Sequence, residues 1–113
     1  MKTTKALLLT TAVFEMAAAI ALLIVPTLVT SALLNQSLDT AAAVVVARIG
    51  GAALAALGVI CWFARDLRGT AVNGLLTGLL VYNVAVACLL MQSALSGTSG
   101  LVLWPAVALH LLL

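Results

Sequence analysis

The stretch at 40–64, TAAAVVVARIGGAALAALGVICWFA, decides how this chain is read. Its 25 residues hold one charged side chain, Arg48. As a helix the stretch rises about 37 Å, enough to cross a hydrocarbon core of about 30 Å. Small residues run through it, and Ala47, Gly51 and Ala55 fall on one stripe at i+4 spacing. Helices in lipid pack through such stripes, because lipid tails compete for ordinary apolar faces.

The rest of the chain has the same character. Its 113 residues are 65% hydrophobic and 7% charged, with a mean hydropathy of +1.33. Soluble domains carry about 25% charged residues, so this chain lacks the polar side chains to coat a soluble globule. Two cysteines make no disulfide scaffold, and the apolar content excludes disorder. Five basic residues and a net charge of +2 make no phosphate-tracking surface for nucleic acid. An integral membrane protein remains, with the lipid bilayer as its first partner.

Working toward the N-terminus, the polar break Asn35, Gln36, Ser37 and Asp39 precedes the central stretch, and Asp39 is the expected N-cap. Before it lies an apolar run at 6–25 that ends on Pro26 and extends, still apolar, to about residue 33. Lys2 and Lys5 precede that run. A basic start before an apolar run also describes a signal peptide. This run, however, is long enough to span, contains Glu15 and lacks a small-residue cleavage site before a polar region.

Toward the C-terminus, Arg65, Asp66, Leu67, Arg68 and Gly69 close the central stretch, with Gly69 as the expected helix stop. A third apolar run covers 71–91, and an uncharged Ser/Gly/Thr break covers 92–100. A fourth run at 100–113 makes about 21 Å of helix, short of a full span. The expected architecture is all-α: a transmembrane four-helix bundle in one domain, 1–113, with helices at about 6–33, 40–64, 71–91 and 100–113. Lys2, Lys5, Arg65 and Arg68 fall on one side of this scheme, and the other breaks carry no Lys or Arg. The positive-inside rule then gives an N-in/C-in protein of the bacterial inner membrane.

Small residues on the second helix, Gly74 and Gly78 on the third, and Ala17 to Ala19 on the first are packing surfaces. They serve the bundle itself, a homodimer or a partner membrane subunit. Cys61 and Cys88 differ in depth by about 20 Å, so they are expected as separate buried thiols.

The polar residues inside the apolar runs carry the functional reading. Glu15 lies about 15 Å beyond Lys5, and Arg48 about 13 Å beyond Asp39. A charge at a helix centre costs about 2.5–3.5 kcal/mol on insertion scales, so each is expected to face inward and find a partner. Counting depth this way pairs Glu15 with Arg48. Asn83, with Tyr82 beside it, and His110 fall at similar depth on the third and fourth helices. Three roles fit this candidate binding cluster of Glu15, Arg48, Tyr82, Asn83 and His110: a structural staple, a pocket for a small polar or anionic group, or a proton relay through Glu15 and His110. No metal-ligand pair, Cys-x-x-Cys, phosphate loop or nucleophile elbow is present, so no cofactor, metal or catalytic residue is expected. Whether the chain is an enzyme stays open at this point.

Several segments together carry a resemblance: Phe14-Glu15 then Pro26; Ala47-Arg48-Ile49-Gly50-Gly51; Cys61-Trp62-Phe63-Ala64-Arg65; Tyr82-Asn83; and Leu103-Trp104-Pro105 with His110. The set resembles uncharacterised small bacterial four-helix integral membrane proteins, loosely DoxX-like. That resemblance implies fold and location only. In length, helix number and a glutamate in the first helix, the chain also resembles the small multidrug resistance transporters, which implies proton-coupled export through Glu15. It departs from them in lacking the Gly-Thr stretch after the glutamate and an aromatic cage.

Overall fold

The computed structural model describes residues 2–113, and they form five helices with no strand among them. These are α1 (Lys2–Ile24), α2 (Pro26–Leu34), α3 (Ala41–Ala64), α4 (Thr70–Leu95) and α5 (Leu103–Leu112). Three of them, α1, α3 and α4, are long and apolar enough to cross a membrane. The fourth expected helix, already short of a full span by its sequence, is not among them. The first run is two helices, because Val25 leaves the helical region at φ −129° and ψ 59° and Pro26 restarts the chain as the first residue of α2. Proline fits there because its missing N–H belongs to the first turn, which has no acceptor anyway. The fourth run yields only α5, about 15 Å of helix, half the hydrocarbon thickness.

Two helix ends also differ from expectation. Thr40, not Asp39, caps α3, its hydroxyl accepting from the Ala43 N–H at 3.1 Å. Asp39 instead accepts from the Ser37 hydroxyl at 2.7 Å. Gly69 does not stop α3, which ends at Ala64. It sits at φ +84° as the N-cap of α4 and lets the chain reverse after Arg68.

The closest helix pair is α1 against α3, antiparallel. A Cβ at Gly58 would lie 3.2 Å from the Ala12 carbonyl oxygen, and one at Gly51 3.1 Å from that of Ala19. The small-residue stripe of α3 is therefore spent within the chain, bringing two backbones together. Side chains of α4 complete this core. Leu79 is buried with Leu8, Ala12, Cys61 and Ala64, and Leu75 and Leu76 pack on them. By contrast, Gly74 and Gly78 face open space, and Cys88 is exposed rather than buried.

The far end is organised around α5. Leu103 and Val107 are buried with Leu90, and Leu33 and Leu34 of α2 pack beside them. The Gly100 N–H donates to the Leu33 carbonyl at 2.9 Å and the Val102 N–H to that of Ala32 at 3.0 Å. A Cβ at Gly100 would run into the Ala32 carbonyl, so this crossing requires glycine. Docked this way, α5 returns alongside α4 and carries His110 to the level of Asn83.

Candidate functional site

Four polar side chains meet between α1, α4 and α5. Glu15 is buried on α1 at 4% exposure and Asn83 on α4 at 3%, although each belongs to a type that seeks water. The Tyr82 hydroxyl donates to Glu15 Oε2 at 3.1 Å. Asn83 Nδ2 donates to the Leu79 carbonyl at 2.9 Å, leaving Oδ1 as acceptor for His110 Nδ1 at 2.8 Å. In the neutral ring that bond fixes the proton on Nδ1 and leaves Nε2 as an acceptor. The Tyr82 and His110 rings meet edge to face, 5.6 Å between centroids. Adjacent residues of α4 thus work in two directions. Tyr82 reaches back to α1, and Asn83 reaches out to α5.

Arg48 does not join them, and the Glu15–Arg48 pair expected from depth counting does not form. Among the described residues the ion pairs are Lys5–Asp66 at 2.7 Å and Arg65–Asp66 at 3.5 Å. Arg48 is exposed on α3. The helix register explains the separation. Glu15 lies in the turn between Ala12 and Met16 that packs on Gly58. Arg48 is ten residues from Gly58, about 15 Å along α3, several turns from the level where Glu15 packs. Depth counted from Asp39 failed because α3 starts alongside α2, not level with the end of α1.

One residue of the site gave no signal in the sequence. Thr11 lies one turn before Glu15 on the same face of α1, is 1% exposed, and its hydroxyl has no hydrogen-bond partner among the described residues. A buried hydroxyl left unpaired is uncommon and costs free energy. Threonine is ordinary in apolar helices, where it bonds its own backbone, so only the fold sets Thr11 apart.

The site therefore holds one carboxylate, one imidazole acceptor, one phenol and one unengaged hydroxyl, with no cation among the described residues within ion-pairing distance of Glu15. Such a set suits a hydrogen-bond donor or a cation better than the anionic group expected with Arg48 in place. No group of three or more His, Cys, Asp or Glu side chains that could hold a metal occurs among the described residues.

At the other end, Asp66 lies outside the apolar spans between Lys5 and Arg65. The hydrogen bond from the Lys5 ammonium, together with nearby positive charge, holds its carboxyl below the usual carboxylate range. Comparison with known proteins finds no matching family model, no matching curated protein and no matching solved structure, so it lends no support to the resemblance to DoxX-like proteins or small multidrug transporters.

Proposed function

We propose that this protein is a small-ligand-binding or accessory subunit of the bacterial inner membrane, and that its interior cluster takes a small hydrogen-bond-donating or cationic molecule at Glu15. The observation that carries this reading is the Tyr82–Glu15 hydrogen bond on a carboxylate of 4% exposure, with no cation among the described residues paired with it. A buried carboxylate without a counter-ion is costly, and an incoming donor offsets that cost. Gathering of Lys2, Lys5, Arg65 and Arg68 at one end supports an N-terminus in the cytoplasm. In the accessory role a partner helix or second copy packs on α4, where Gly74 and Gly78 stand open.

The test is mass spectrometry of small molecules retained by the full chain after purification, compared with Glu15→Gln. A species held by the wild type and lost from the variant supports the reading. Identical profiles overturn it.

A second reading, proton-coupled export in the manner of small multidrug transporters, is favoured by one observation. Arg48, which at Glu15 would repel a cationic substrate, is exposed on α3 and forms no ion pair with that carboxylate. In proteoliposomes with an imposed pH gradient, tetraphenylphosphonium accumulates through the wild type and not through Glu15→Gln. Equal accumulation in both disposes of export.

A further inference from the structure

The end of the molecule away from α5 carries a cleft with a volume of about 420 Å³ between the start of α1, the α3–α4 turn and the first turns of α4. Four of its lining side chains are cationic, Lys2, Lys5, Arg65 and Arg68, and one is anionic, Asp66. Asp66 bonds Lys5 at 2.7 Å and pairs with Arg65 at 3.5 Å, which fixes one wall as a clasp. Lys2 and Arg68 enter no ion pair among the described residues. The cleft thus has a surplus of positive charge where membrane proteins meet headgroups. Arginine matches phosphate geometry in particular, because its planar fork can donate two bonds.

A second cavity, nearly all apolar, runs along the outside of the α1–α3 seam. Its α1 wall includes Val13 and Ile20, which lie about three and five helical turns beyond Lys2 on the same stripe. Its α3 wall includes Gly58 and Trp62, and Arg65 continues that stripe into the cleft. The Arg65 guanidinium rests 4.5 Å above the Trp62 ring, so a residue of the cleft wall touches a residue of the groove wall. A basic seat for a headgroup thus lies beside an apolar groove, with the Arg65–Trp62 contact between them.

We propose that these two cavities together bind one anionic phospholipid, its phosphate between Lys2 and Arg68 against the Lys5–Asp66–Arg65 clasp and one acyl chain in the groove between α1 and α3. The first N–H groups of α4, which no side chain caps, open toward the same cleft and add to the attraction without being needed for it. Basic pockets between membrane helices take anionic headgroups in this way. Nothing in the assignment depends on Glu15, so it stands or falls apart from the proposed function.

The test is native mass spectrometry of the full chain released from nanodiscs of mixed phosphatidylglycerol and phosphatidylcholine. One phosphatidylglycerol per chain is retained in preference to phosphatidylcholine. The double variant Lys2→Gln/Arg68→Gln, at two exposed positions, lowers that preference by about thirtyfold, the effect of two cations near a membrane surface. Ala17→Phe, which fills the exposed groove without touching the cleft, lowers retention while the helical content stays that of the wild type. Equal retention of the two lipids overturns the proposal. So does displacement of phosphatidylglycerol by millimolar inorganic phosphate, which would make free phosphate the ligand. Unchanged retention in Ala17→Phe removes the acyl seat and with it the lipid.

Discussion

The α1–α3 seam and the cluster joining α1, α4 and α5 meet at the same level of the molecule, on either side of one turn of α1. They are built from opposite materials. On one side, Gly58 lets the α3 backbone come against Ala12 and Met16. On the other, Glu15 of the same turn is reached by the long side chain of Tyr82. Lipid gives helices little hydrophobic reason to associate, so close backbone approach and polar contact are the two means available. This protein uses one on each side of α1. The seam offers only apolar side chains and backbone contact, whereas the polar side holds unspent hydrogen-bonding groups at Thr11 and His110. That difference is why a polar ligand is sought on the second side.

The contrast breaks most readily where glycine is indispensable. Gly100→Ala forces a methyl group into the Ala32 carbonyl and unseats α5, with an expected loss of about 3 kcal/mol or more, read as chemical unfolding in mild detergent. Gly58→Leu should cost about 2 kcal/mol by prising open the seam, while the Tyr82–Glu15 bond, followed by tyrosine ultraviolet absorption, persists in the folded fraction.

Tyr82→Phe removes only the phenol oxygen. Polar contacts between membrane helices average about 0.6 kcal/mol and reach about 1.7, so its loss should fall well below that of Gly58→Leu. A larger loss would make the cluster the main fastening and reverse the contrast.

A smaller effect belongs to the basic end. Asp66 has its carboxyl pKa lowered by Lys5, so its contribution is present above the unfolded value of about 3.9 and is lost as pH falls through the lower folded value. Thermal stability should therefore drop slightly more in wild type than in Asp66→Asn below about pH 4. Parallel curves would show that the clasp contributes nothing.

Arg48→Ala sharpens the comparison by doing least. With no ion pair to lose, it should change stability by less than about 0.5 kcal/mol and combine additively with Glu15→Ala. Non-additivity in that double-mutant cycle would restore the pairing.

The sequence made the polar side legible in part. Glu15, Asn83 and His110 stand out because polar groups inside apolar helices need inward partners, and the structure brings all three with Tyr82 to one level. Arg48 obeyed the same rule on paper and went elsewhere. Distance from a loop measures depth only when neighbouring helices begin level, and the break at Val25 and Pro26 shifts α3 against α1. The Ala47, Gly51 and Ala55 stripe announced close packing, but not that α1 would be its partner. Gly69 was recognised as punctuation and assigned to the wrong helix, since a left-handed glycine serves the end of one helix or the start of the next equally well. Thr11 could not have been found, because its distinction is a bond that is missing.

Arg48 has one more consequence. It is exposed about 10 Å past the start of α3, unshielded by the other described residues. A guanidinium at that depth bends its stem toward the nearer surface and draws water and headgroups down to meet it. In a bilayer the leaflet beside α3 would then be dimpled on that flank, and the protein would settle preferentially where the surrounding bilayer is already thin.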